Sequence, residues 1–193
     1  MRKSFVKLLT LAPVALVALT ACEAKLSEDK AKERAEGYDP AVVENYESVT
    51  IKTSYSKKEA KGSIFEMMIE FLEDDEYEED PELCFFTLDL VDEAAAEIGD
   101  EGELTTTYYS YKKTGLKVVI NGNVKKEKTD DEPYSMEMKT SSTIYVLDDG
   151  RIEKQEMSIS GKSEGSMEVF GQTFDFSGSI DVKGTQTFTW NAK

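Results

Sequence analysis

The sequence predicts an α+β fold in which N-terminal helices pack on a long, curved antiparallel β-sheet, an open half-barrel. Three observations carry that expectation. Helix caps and a 3.6-residue apolar spacing are confined to the chain before Gly102. Beyond Gly102 the apolar residues recur at every second position to the end of the chain. The runs between turn signals are long, roughly ten residues against about five or six for an ordinary strand. Long strands with one apolar face favour a single large sheet that curves around an amphipathic helix. No interior segment rich in Pro and Gly divides the chain, so residues 27–193 read as one domain.

The helical part comes first. Ser27 can cap a helix whose first turn holds Glu28 and Asp29, and Gly37 is its natural stop. Asp39-Pro40 starts a second short helix running to about Tyr46. Residues Ser48 to Lys57 alternate Val49, Ile51, Thr53 and Tyr55 with polar neighbours, which reads as a strand. Ser63 and Glu66 then form a capping box. Behind it Phe65, Met68, Ile69 and Leu72 share one helix face, widened by Met67 and Phe71. Glu73 to Glu82 is a dense acidic run that reads as an exposed loop, because like charges repel. Carboxylates are hard oxygen ligands for Ca²⁺, yet the spacing and central Gly of an EF-hand loop are missing here. Leu83 to Leu90 reads as a buried strand, and Asp92 to Ile98 as a helical turn ended by Gly99.

The meander follows. Glu103 to Lys113 and Leu116 to Lys126 read as strands joined at Thr114-Gly115, with Asn121-Gly122 as a bulge or tighter turn. Tyr134, Met136, Met138, Ile144 and Val146 share one parity, and Asp149-Gly150 is a hairpin turn. Phe174, Phe176, Ile180 and Val182 share parity again after a turn near Gly171-Gln172, and Phe188 and Trp190 finish the pattern.

Composition removes several function classes. The chain has 193 residues, 39 acidic against 23 basic, and a net charge of −16. That balance argues against nucleic acid, whose phosphates need Lys and Arg, and against docking on anionic headgroups. There is no histidine, so the commonest general base and neutral metal ligand is absent. Adjacent acids such as Asp130-Asp131 and Asp148-Asp149 suit turns rather than a catalytic pair. No phosphate loop, nucleophile elbow or metal-ligand motif is present. The chain therefore reads as no enzyme, with no cofactor and no metal. Cys84, between Leu83 and Phe85, reads as a small core hydrophobe.

The N-terminus says where the protein acts. Arg2, Lys3 and Lys7 precede an apolar stretch from Phe5 to Ala21, and Leu19-Thr20-Ala21-Cys22 closes it. This resembles a bacterial lipoprotein signal peptide with its lipobox. The resemblance implies removal of residues 1–21, acylation of Cys22 and a short tether over 22–26. It places the domain on the extracytoplasmic face of a cell membrane, held by lipid. The competing reading is an ordinary secretory signal with a coincidental Cys.

The order of lipobox, helices and long meandering strands also resembles the LolA/LppX-like group of lipid and lipoprotein carriers. That likeness is architectural and carries over no residue. It implies an apolar cavity between sheet and helix that takes acyl chains or another apolar ligand. Phe65, Met68, Phe71, Phe85, Met136, Met138, Phe174, Phe176 and Trp190 are the candidate lining. The alternative is that these residues close into a solid core. The protein would then act on a protein partner through its outer surface, where its many tyrosines suit recognition.

Overall fold

The computed structural model describes residues 24–91, 102–129, 133–169 and 172–193, with backbone only for residues 64, 167–169 and 172–174. The expected helical turn over Asp92 to Ile98 lies outside them. Strand β1 (Lys25–Leu26) leads into helix α1 (Glu28–Glu36). Ser27 Oγ accepts the Lys30 amide at 3.4 Å, and Gly37 closes the last turn on the Glu33 and Arg34 carbonyls. Arg34 Nη1 pins the helix to the sheet through Ser110 Oγ at 3.0 Å and the Gly115 carbonyl at 3.1 Å. The second expected helix is a tight 3₁₀ turn over Pro40–Asn45, with Asp39 Oδ1 accepting the Ala41 amide at 3.0 Å.

Strand β2 (Tyr46–Lys61) is longer than its sequence pattern and ends at helix α2 (Ser63–Glu70). The N-cap of α2 is Gly62 rather than Ser63, and the cap makes no side-chain hydrogen bond. Glycine is required there. Its φ is +88°, and a Cβ would strike the Ser177 carbonyl oxygen. Part of the acidic run forms strand β3 (Asp75–Glu79) on an edge of the sheet, almost wholly exposed. Its carboxylates explain why so charged a strand is tolerated: they deter pairing with another chain at an open edge. The strand expected over Leu83 to Leu90 is instead a 3₁₀ turn, Pro81–Cys84, followed by one bridge from Phe85 to Arg151. Local capping starts the turn: Asp80 Oδ1 accepts the Glu82 amide at 2.9 Å, and Pro81 sits at the first turn position.

The meander comprises β4 (Gly102–Tyr111), β5 (Gly115–Lys126), β6 (Tyr134–Val146), β7 (Ile152–Val169) and β8 (Gln172–Ala192). Strand β5 runs through Asn121-Gly122 in unbroken register with both neighbours. All eight strands form one antiparallel sheet in the order β1-β4-β5-β6-β7-β8-β2-β3, which does not close on itself. At about 3.3 Å per residue, β8 alone extends for roughly 70 Å. Register shifts at Tyr46/Ser48, Tyr55/Lys57 and Tyr145/Val146 bend it locally.

The register separates two faces. Leu116, Val118 and Ile120 stand beside Val146, Ile144 and Ser142, and continue to Ile152, Gln155 and Met157 on the inner face. The inner face is covered at one end by α1 and the 81–91 segment. There Ala31, Tyr38, Phe86 and Val91 pack on Tyr108, Leu116, Val118 and Val146. Burial pushes the Tyr38 hydroxyl up to about 12. A smaller cluster of Val49, Ile51 and Cys84 adjoins it. At the other end α2 covers Ile180 and Val182 with Phe65.

Two glycines test this account. Gly62→Ala is expected to cost at least about 1–2 kcal/mol, from left-handed backbone strain alone, before the clash with Ser177. Gly37→Ala, at φ −81°, should stay within about 0.5 kcal/mol of the parent. Urea unfolding of both variants checks the contrast.

Candidate ligand-binding site

Between the two covered ends, the described residues leave the middle of the inner face open. Strands β5, β6 and β7 supply Ile120, Thr140, Ser142, Gln155, Met157 and Ile159, which alternation turns to the same side. Leu90 and Leu83 overhang one side, and Met136 closes the far end. Together they line an open trough of about 870 Å³. That is within the range of about 300–1,000 Å³ usual for small-molecule sites. Leu83 is 69% exposed and Ile159 40% exposed, so large apolar groups are left facing water there.

The floor is mostly apolar with one polar band. Gln155 Nε2 donates to Ser142 Oγ at 2.9 Å, and further along the same row Gln186 Nε2 donates to Thr53 Oγ1 at 3.3 Å. Among the described residues no buried side-chain nitrogen or oxygen lacks a partner. The band is thus satisfied without a ligand, and the trough makes no demand for a polar guest. Burial is what it offers, worth about 0.8 kcal/mol per methylene removed from water. A second groove of about 260 Å³ lies beside the start of α2, lined by Phe65, Asp175 and Phe176. Met136 is shared by both.

The nine lining residues expected from the sequence scatter. Met136 lines the trough. Phe65 and Phe176 line the groove at α2 instead, and Met138 packs under α2 with Ile180. Met68 and Phe71 stand on the solvent side of α2, 51% and 81% exposed. Phe85 packs at the opposite end, where a Cβ on Gly150 would meet its ring. Trp190 stacks edge-on with Tyr46 at 5.2 Å, lies 5.6 Å from the Arg151 guanidinium and donates to the Ile152 carbonyl at 2.9 Å. It is a structural clasp rather than a lining residue. The Phe174 side chain and all of Cys22 lie outside the described residues.

Sequence reasoning passed over Met157, Ile159, Ile120 and Leu104, which form much of the trough. Parity could have found them, since each falls in register with a residue already on the inner face. Aromatic and Met content drew the choice instead. Cys84 is 2% exposed beside Val49 and Ile51. Burial first, then the Glu79 and Asp80 carboxylates, push its thiol up to about 11, so it stays protonated and inert at neutral pH.

No described helix is long and apolar enough to cross a membrane. The chain matches no family model, no curated protein and no solved structure.

Two outcomes follow from an open trough over a buried core. Ile159→Asp should cost under about 1 kcal/mol, because the site already meets water, whereas Leu116→Ala, fully buried, should cost about 2–5 kcal/mol. Cys84 should react with a thiol reagent at pH 8 only as fast as the domain unfolds, a rate read by adding denaturant stepwise.

Proposed function

We propose that the protein is a non-enzymatic, lipid-anchored extracytoplasmic lipoprotein that holds an apolar ligand, an acyl chain or similar group, in the trough of its inner face. In this reading residues 1–21 are removed, acyl chains on Cys22 fix the chain to the membrane, and the sheet works as the half-barrel of a LolA/LppX-like carrier. Several acyl chains on one residue, at about 0.8 kcal/mol per buried methylene, suffice for lasting attachment.

The observation that carries the reading is the stretch of inner face that the described residues leave uncovered. A sheet whose job were only structural would gain by extending α2 over Met157 and Ile159. Instead, α2 stops at Glu70 and leaves a trough of about 870 Å³ with apolar walls. Met136 and Met157 add adaptable surface suited to a guest of irregular shape.

Native mass spectrometry of the chain from Glu23 onward, followed by organic extraction, tests the proposal. An apolar adduct at one per chain is expected, lost in Met157→Asp with Ile159→Asp while the fold persists. An adduct-free protein that also takes up no added fatty acid or phospholipid would remove the carrier reading.

A further inference from the structure

Three hollows meet at one residue. Among the described residues, Met136 lines the trough of about 870 Å³, the groove of about 260 Å³ beside α2, and a third pocket of about 360 Å³ where β5 ends and β6 begins. Cross-strand register explains the meeting. Lys126, Met136, Ser163 and Gly178 stand opposite one another in a single row across β5, β6, β7 and β8. Direct partners point to the same side of a sheet, so this row crosses the inner face where the trough ends. The two residues that follow Met136 in the row are small. Gly178 lets the Phe65 ring lie against the backbone, where a Cβ would come within 2.7 Å of it. Ser163 lines both the groove and the third pocket.

The hollows differ in chemistry. No lining residue of the trough is charged, although 32% of the chain is. An ion inside it would have no partner, so the part of a ligand held there is apolar. The groove has aromatic walls in Phe65 and Phe176, with Asp175 as its one charged lining residue. The third pocket is polar and carries both signs. Lys125 pairs with Glu127 at 2.7 Å and Lys162 with Glu137 at 3.5 Å. Lys128 and Glu164 add one charge of each sign, and the Lys126 ammonium lies 5.0 Å from the Tyr134 ring. Interleaved charges of this kind seat a polar head that carries both signs or neither, and do not single out a net anion.

Two apolar arms and one polar seat, joined at a single side chain, match a lipid with two chains and one head. Methionine suits the junction, because its unbranched thioether adapts to an irregular branch point. We propose that the ligand is a two-chain lipid bound with its branch over Met136, one acyl chain in the trough, the second in the groove beside α2, and a zwitterionic or uncharged polar head in the pocket of Lys126 and Ser163. The inference rests on the carrier reading of the trough, and adds to it a second arm, a ligand class and a direction. A one-chain lipid fills one arm, whereas a two-chain lipid also buries apolar carbon against Phe65 and Phe176.

The test compares dioctanoyl phosphatidylcholine with octanoyl lysophosphatidylcholine, which share a head and differ by one chain. Each is titrated, below its micelle concentration, into the chain from Glu23 onward, which keeps every described residue. Met157 methyl signals report the trough, and fluorinated Phe176 reports the groove. The two-chain lipid should bind at one per chain, about tenfold tighter or more than the one-chain lipid, and shift Met157 and Phe176 with the same midpoint. Phe176→Asp should cut that advantage to under about threefold. The comparison in the unaltered chain stands by itself if this variant fails to fold. A two-chain lipid that binds no tighter, or that leaves Phe176 silent, would overturn the second arm and leave the trough standing. Met157 silent with both lipids would overturn the trough and this inference together.

Discussion

Cross-strand register is the constraint on which this structure depends. Side chains alternate sides along a strand, so a slip of one residue would exchange every inner position for an outer one. Seven antiparallel pairings hold that alignment, from Leu26 opposite Tyr108 at one edge to Thr53 opposite Asp75 at the other. They gather Leu116, Val118, Ile144, Ile180 and Val182 on one side, and Lys117, Tyr145, Ser158, Lys183 and Thr187 on the other. The helices are secondary to this. Helix α1 has a short apolar contact and a guanidinium clamp, and among the described side chains α2 buries Phe65 and partly covers Ile69.

A sheet this long has more inner surface than the two described helices cover. The consequence is a face with dense packing at both ends and a shallow, partly polar interval between them. Edges create the complementary difficulty, since unpaired strand edges invite association. One edge strand is only two residues long, and the other carries Asp75, Glu76, Glu78 and Glu79. The acidic run therefore has a structural use at the β3 edge that needs no bound cation.

Much of this architecture was legible in the sequence. The period of two beyond Gly102 gave the meander, and Ser27, Gly37 and Asp149-Gly150 marked real boundaries, because caps and turns act through near neighbours. Less legible were features set by distant partners. Leu83 to Leu90 has the composition of a strand, but Asp80-Pro81 starts a 3₁₀ turn and only Phe85 finds a bridge. The charge of 75–79 suggested a loop, yet the backbone of β2 supplies its pairing. The site was the least legible part. Apolar periodicity locates a face, not which part of it remains uncovered, so Phe71 and Trp190 were grouped with Met136 although the fold separates them. The outer-face alignment of Lys25, Tyr109, Lys117, Tyr145 and Lys154 is invisible to any linear reading, for it takes one residue from each of five strands.

On this account the working surface is the apolar trough of the inner face. The trough is the central claim, and methyl NMR of methionine-labelled protein tests it most directly. Met136 and Met157 line the trough, whereas Met138 packs under α2. Titration with a long-chain fatty acid should shift Met136 and Met157 with saturation at one equivalent, and leave Met138 nearly unmoved. Silent Met136 and Met157 signals, or uniform shifts across all three, would contradict a ligand site in the trough.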